Sequence, residues 1–501
     1  MKKQLFTSSA FRLLENIVMV TISLLLTPFL IKTLGHNDYG LWLLTLSILG
    51  WFNVIDLGFP AAVQRHITIA LEKNDHTQIN TVFSTSLALF GSLGLLSAMG
   101  LLVLAQYPTV LGVNEASAVT FTTAMMMLAL KVIWDFLMNA FNGFFSGMLR
   151  YDIDANIATF NSILKALLVF LLIPDMNIFG AVAATLCADF LSNILKVIYA
   201  KKLFKPLSFK LSLISFTELK ALFHFSKHII AGGIARAISK QSDPIIVTKL
   251  FELTLVPIYS VANRLSTLVE GFAASISGIF QPVFTRMVAR NENMEAMFNE
   301  VTAINILVYS ILYQSLLIFG GLFILLWVGN EFFDSILLMN ILVFSFLCRA
   351  LNWSINGVLI AQANHKLLAI TNLFGALINI TCSIVLSKYI GIIGIAVGTS
   401  IGFFITDVLL NLVLLKRYNN FNIFPVVGRF LQSIALTYLI GYAGQTFLMQ
   451  NIEQSWLMLV ACAIVAFPFI ILVNWLVLLD KNQKQKSLAM VNAKLSTLKK
   501  A

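Results

Sequence analysis

The sequence predicts an all-α integral membrane protein of about fourteen transmembrane helices. They form two parallel six-helix repeats, as two lobes around a central cavity, plus two extra C-terminal helices. Three observations predict this: apolar composition, the placement of basic residues, and an internal repeat. Of 501 residues, 58% are hydrophobic and 11% are charged. Soluble domains carry about 25% charged residues. A mean hydropathy of +0.87 leaves too little polar material to coat a globule. Composition therefore excludes a soluble enzyme.

A window of about 19 residues gives spans centred near 22, 52, 93, 130, 164, 189, 235, 270, 314, 347, 377, 404, 438 and 467. Lys2 and Lys3 precede the first one. That segment carries Arg12 and Glu15 and has no small-residue cleavage site, so it reads as an uncleaved span. The N-terminus, the even-numbered junctions and the C-terminal tail hold 22 Lys and Arg. The odd-numbered junctions hold three, Lys32, Lys249 and Lys388. The positive-inside rule puts both termini in the cytoplasm. The net charge of +11 thus belongs to cytoplasmic loops, and nucleic acid is not an expected partner. Cys187, Cys348, Cys382 and Cys462 each stand alone in an apolar stretch and read as small core hydrophobes. No metal-ligand cluster, phosphate-cradling loop or catalytic constellation is legible. The chain reads as a non-enzyme without a cofactor.

The repeat has a spacing of 214 to 221 residues. Asn142-Gly143 recurs as Asn356-Gly357, and Gly180-Ala181-Val182 lies opposite Gly394-Ile395-Ala396. Gly180, Ala184 and Ala188 form a small-residue stripe that returns as Gly394, Gly398 and Gly402. Such stripes let helix backbones approach closely in lipid. Tyr39 falls opposite Tyr259, and Arg65 opposite Arg286. The division expected is residues 1–205 for the first lobe, 206–420 for the second, 421–480 for the two extra spans and 481–501 for a basic tail. Six spans per repeat make the halves parallel, an arrangement found in secondary transporters.

Residues 27–66 carry Pro28, Leu34-Gly35, Tyr39-Gly40-Leu41-Trp42, Asp56-Leu57-Gly58 and Arg65. This segment resembles the N-terminal signature of the polysaccharide and oligosaccharide flippases of the multidrug/oligosaccharidyl-lipid/polysaccharide exporter superfamily. The resemblance implies an O-antigen-type flippase in a bacterial inner membrane. Its substrate would be an oligosaccharide on undecaprenyl diphosphate, moved to the periplasmic leaflet. Polymerase and chain-length proteins of the same pathway would be its partners.

Nine cations fall within spans: Arg12, Lys131, Lys165, Lys196, Lys227, Arg236, Lys240, Arg264 and Arg349. Each costs about 2.5–3.5 kcal/mol by insertion scales, so each is expected to face a cavity or a partner. Arginine suits a diphosphate, because its planar fork grips phosphate oxygens with two bonds. Arg12 is three residues from Glu15, either a local ion pair or an entry contact. Lys131 and Asp135 are four apart and read as a structural pair. Lys165 either faces the lumen or pairs with Asp189, and Lys196 is expected to snorkel. Arg236, Lys240 and Asp243 share one helix face. Arg264 and Arg349 have no acid within a turn. The expected substrate contacts are therefore Arg12, Lys165, Arg236, Lys240, Arg264 and Arg349. Asp56, Asp189, Glu270 and Asp407 are the candidates for a coupling H+ or Na+. Two rival functions are an ion-coupled drug or small-molecule exporter of the same superfamily and a membrane polysaccharide polymerase. The short odd-numbered junctions argue against the polymerase.

Overall fold

A computed structural model describes the backbone of residues 2–52 and 58–498. Side chains are described from residue 14 to 489, except at 53–57, 227–229, 231, 232, 236, 240 and 365. The described residues are helical, with no strand. In chain order the helices are α1 (Lys2–Phe52), α2 (Phe59–Glu72), α3 (His76–Ala105), α4 (Glu115–Gly147), α5 (Tyr151–Leu203), α6 (Phe216–Leu250), α7 (Leu255–Ser277) and α8 (Gln281–Ala289). They continue as α9 (Glu295–Val328), α10 (Asp334–Ala361), α11 (His365–Ile390), α12 (Ile393–Phe403), α13 (Asn411–Asn419), α14 (Phe424–Asn451), α15 (Trp456–Leu478) and α16 (Lys481–Leu498). A π-helical segment, Phe404–Leu410, joins α12 to α13.

Among the described residues, ten helices are long and apolar enough to cross a membrane. One of these, α5, has 53 residues and folds back on itself. At Asn177 its backbone takes φ 49° and ψ −132°. Asn161 Nδ2 then reaches Asp189 Oδ1 at 2.7 Å. In a straight helix 28 residues apart these groups would be separated by ~42 Å, so α5 is a hairpin with legs 151–176 and 178–203. Gly180 seals the bend. A Cβ there would lie 2.5 Å from the carbonyl oxygen of Leu172. In α1 the break is at Gly35, whose φ of 72° favours glycine. The expected spans near 52, 235 and 270 fall at the end of α1, on α6 and on α7. Seven charged residues punctuate α6, from Glu218 to Lys249, which explains its lower apolarity. Large apolar side chains such as Leu96, Val119, Leu171, Leu457 and Val465 are exposed on the spans, as a lipid-facing surface requires.

The chain divides into two compact units, Met1–Pro257 and Ile258–Ala501. In the first, α3 packs on α4, α1 on the α5 hairpin, and α2 on both α3 and α4. The division by repeat puts α6 in the second lobe, but its contacts place it here, on α1, α2 and α3. Two features explain the difference. The segment before α6 is stitched to α3: Ser208 N–H donates to Asn80 Oδ1 at 3.0 Å, and Ser215 N–H donates to Thr85 Oγ1 at 3.1 Å. Glu218, in the first turn of α6, is then gripped by His66 of α2 and by Gln78 Nε2 of α3 at 3.1 Å.

In the second unit, α11 and α12 are nearly in backbone contact. A Cβ on Gly394 would lie 2.3 Å from Ser387 N, one on Gly398 2.4 Å from Ser383 N, and one on Gly402 2.7 Å from Asn379 Cβ. The small-residue stripe read from the sequence is thus a packing surface, as is its counterpart, where Ala184 and Ala188 are fully buried. The two extra spans, α14 and α15, pack on α9 within this unit rather than standing apart. A buried polar network fixes them. Ser310 Oγ of α9 meets Thr437 Oγ1 of α14 at 3.0 Å and donates to Asn474 Oδ1 of α15 at 2.7 Å. Such bonds have no water to compete with in lipid.

Candidate functional site: two charge clusters in the spans

The first unit holds a cluster of ammonium and carboxylate groups between α4 and the α5 hairpin. Lys131 and Asp135, one turn apart on α4, form the expected ion pair. Lys131 Nζ also lies 2.7 Å from Asp189 Oδ2, on the second leg of α5. Asp189 Oδ1 in turn meets Lys165 Nζ at 3.3 Å and accepts from Asn161 Nδ2 at 2.7 Å, both on the first leg. The hairpin is what brings these residues together. Of the two expectations for Lys165, pairing with Asp189 is the one observed. Its side chain is also 32% exposed, so it keeps one side open. Lys196 was expected to snorkel. Instead its ammonium donates to Asn142 Oδ1 at 2.8 Å, because Asn142 on α4 lies within reach of the second leg.

A cavity of about 350 Å³ adjoins this cluster, lined by Lys131, Trp134, Asp135, Cys187, Asp189 and Phe190 among others. Cys187, expected in the core, is exposed at its edge. Trp134 and Phe190 pack at 5.6 Å between ring centroids.

The cluster of the second unit is built on the guanidinium of Arg349 instead. Arg349 on α10 lies with Nη1 3.4 Å from Glu270 Oε1 of α7. Its guanidinium carbon sits 4.8 Å from the ring centroid of Phe403, at the end of α12. Attraction to an aromatic face adds to the ion pair where water is excluded. Trp353, one turn along α10, points its Nε1 at the same Glu270 oxygen at 3.5 Å. Asp407 lies within electrostatic reach of Arg349 and accepts a hydrogen bond from Asn352. Asp407 is 3% exposed, and its Oδ2 has no hydrogen-bond partner among the described residues. It sits at the centre of the π-helical segment. Such segments are frequent at functional sites, because the extra residue per turn re-aims side chains.

The structure therefore gathers five sequence candidates into two clusters: Lys165 with Asp189, and Arg349 with Glu270 and Asp407. Arg264 stands six residues before Glu270 on α7 and is half-buried. The side chains of Arg12, Arg236 and Lys240, and the whole of Asp56, lie outside the described residues. Sequence reasoning missed Asn161, Trp353, Asn352 and Phe403. A signal for the geometry existed in the repeat. The 214-residue offset that pairs Asn142 with Asn356 also takes Asp135 to Arg349 and Asp189 to Phe403. In both units these two positions converge on one spot, through Lys131 in the first and directly in the second. Among the described residues, no cluster of His, Cys, Asp and Glu is arranged to hold a metal.

The sequence profile of the family described as polysaccharide biosynthesis protein matches residues 7–288. An uncharacterized membrane protein, EpsK, of Bacillus subtilis (strain 168) is 22% identical over 80% of this chain and 81% of its own length. A putative O-antigen transporter of Shigella flexneri is 20% identical over 74% of this chain and 88% of its own. Among solved structures, the lipid II flippase MurJ in an inward closed conformation superposes with a TM-score of 0.72. It covers 92% of this chain and 97% of its own length at 15% identity. An inward-facing multidrug resistance MATE family transporter of the MOP superfamily gives 0.64 over 80% and 98%, at 16% identity. The fold is that of the MOP-superfamily transporters, and these apolar helices make the chain a multi-pass membrane protein. With a profile match over more than half of its length, the chain belongs to the polysaccharide biosynthesis protein family.

Proposed function

We propose that the chain flips undecaprenyl-diphosphate-linked oligosaccharide units from the cytoplasmic to the periplasmic leaflet of a bacterial inner membrane. It would do so by alternating access, with both termini in the cytoplasm, in the biosynthesis of an O-antigen-like surface polymer. The observation that carries this reading is the set of cations inside the spans, with Arg349 as its best-defined member. A guanidinium paired with Glu270 through Nη1 and lying 4.8 Å from the Phe403 ring centroid keeps its charge, and its side chain, 26% exposed, still offers donors to an anion. The names of two relatives fit: the putative O-antigen transporter, and a probable low-salt glycan biosynthesis flippase of Haloferax volcanii. Lys165, Arg349 and Arg264, with Arg12, Arg236 and Lys240, are the proposed headgroup contacts. Asp189, Glu270, Asp407 and Asp56 are the proposed sites for a coupling H+ or Na+. An ion gradient biases the cycle only through different affinities of the two states.

The second reading is export of small molecules, favoured by the likeness to a multidrug transporter fold. Cationic drugs would be repelled by the same cations. The test uses a deletion strain, with lipid-linked intermediates extracted and assigned to a leaflet. Complete single units trapped on the cytoplasmic side, with surface polymer lost, is the expected result. Units that reach the periplasmic side unpolymerised would indicate a polymerase. A normal glycan profile would overturn flipping in favour of small-molecule export.

A further inference from the structure

We infer that Asp135 is the carboxylate through which a proton switches the first unit's cavity into an anion site; the inference rests on the reading that the chain carries a diphosphate-linked lipid. Lys131 is shared by two carboxylates, and they are not equivalent. Asp189 is held by Lys131, Lys165 and Asn161. Among the described residues Asp135 forms one ion pair, with Lys131, and its side chain is 26% exposed against 12% for Asp189. The less-held, more open acid accepts a proton at the smaller cost.

The charged groups facing Asp135 are Lys131 on its own helix, and Asp189, Lys165 and Lys196 on the two legs of α5. Of the other helices packed on α4, α3 carries no charged residue from 77 to 105. The charged and titratable groups of α1 (Glu15, Lys32, His36, Asp38) and α2 (Arg65, His66, Glu72) stand toward the ends of the expected spans, and the side chains of Lys2, Lys3 and Arg12 lie outside the described residues.

With Lys131, Lys165, Asp135 and Asp189 all ionised, this group of four is neutral, and the charge of Lys196 is answered by Asp154 on the first leg of α5. A proton taken from water onto a carboxylate oxygen of Asp135 leaves it with one positive charge beside the cavity. It also releases Lys131 from one of its two counter-charges, so the ammonium is free to turn toward an anion. In this switch the proton goes to Asp135 and not to Asp189, which stays ionised, keeps both lysines in place as a positioning residue, and so retains only the Na+ role among those proposed for it above. Proton uptake and anion binding then reinforce each other, by thermodynamic reciprocity. Affinity for the anion falls as pH rises through the titration of Asp135. The ligand's own second ionisation works the other way, since a diphosphate gains charge with pH. A fall in affinity therefore cannot come from the ligand.

The test measures binding of undecaprenyl diphosphate to the full chain in phosphatidylcholine nanodiscs, from about pH 5 to about pH 8. The wild type is expected to lose affinity by about tenfold across this range, within the usual span of coupling between sites. Asp135→Asn is expected to hold the wild-type low-pH affinity throughout. Asp135→Ser serves the same purpose if the asparagine variant does not fold. Calorimetry of the wild type in buffers of different ionisation enthalpy adds an independent reading, expected to show net proton uptake on binding. Wild-type affinity that is flat or rises with pH, or a pH dependence that survives in the Asp135 variants, overturns the inference while leaving the transport reading intact. Failure of the folded wild type to bind the probe at any pH overturns the diphosphate reading, and this inference with it.

Discussion

The two charge clusters occupy corresponding places in a duplicated scaffold, yet their chemistry differs. In the first unit two ammonium groups and two carboxylates meet, with an amide from Asn161. In the second a single guanidinium is wedged between a carboxylate, an aromatic ring and the charge of Asp407. Corresponding helices meet in both units, but the side chains at the contact differ. In register, Arg349 stands opposite Asp135, and Phe403 opposite Asp189. The first cluster balances its own charge and can be shifted by one proton. The second has a permanent cation whose acids sit on separate helices, α7 and the π-helical segment.

The largest effect should come from breaking the second cluster. Arg349→Ala leaves Glu270 and Asp407 as buried acids without their cation. Removing one partner of a buried pair costs about 3–5 kcal/mol, so the variant should show a lowered unfolding temperature and lost export. Arg349→Lys should recover stability more than export, because a point charge replaces the planar fork. Equal recovery of both would show that the fork has no role.

Next in size is the helix contact beneath that cluster. Gly398→Val places a side chain where even a Cβ would lie 2.4 Å from Ser383 N, which should cost about 1–3 kcal/mol through overpacking. Thermal unfolding in detergent checks this. The corresponding change in the first unit, Ala184→Val, tests whether both stripes are equally tight.

A smaller change sharpens the comparison further. Phe403→Leu keeps apolar volume but removes the ring under Arg349, at a cost of about 0.5–2 kcal/mol. In combination with Arg349→Met the second change should add little, since the two residues act as one contact. Full additivity in a double-mutant cycle would dissociate them.

The smallest expected effect lies at the start of α6, outside the expected span. The hydrogen bond from His66, with one from Gln78, holds the Glu218 carboxyl below the usual carboxylate range. A depressed carboxyl contributes stability above its unfolded value of about 4.3, and that contribution disappears as pH falls through the folded value. The wild type should therefore lose unfolding temperature below about pH 4, and Glu218→Gln should flatten this part of the curve. An unchanged acid limb in the variant would assign the loss to other groups.

Much of the fold was legible because hydropathy and the placement of lysines depend only on local sequence. The α5 hairpin was foreseen as two spans, and the glycine stripe of α12 as a packing surface. The attachment of α6 to the first unit was not, because it depends on side-chain bonds from His66, Gln78, Asn80 and Thr85 that no periodicity encodes. The clusters were half legible. Lys131 with Asp135 is a one-turn spacing on one helix, which sequence displays directly. The reach of Lys131 to Asp189 and of Arg349 to Glu270 depends on how separate helices are rotated against each other. The π-helical turn that sets Asp407 has no sequence signature at all.

The most direct test of the central claim, that in-span cations carry a diphosphate-linked glycan across the bilayer, is a reconstituted flipping measurement. Proteoliposomes would contain the lipid-linked oligosaccharide extracted from a deletion strain, with leaflet position read by access of an external glycosidase. The folded wild type is expected to expose the half of the lipid initially shielded, and Arg349→Ala of equal abundance is not. Shielding that persists with the wild type, or equal flipping by the variant, would contradict it.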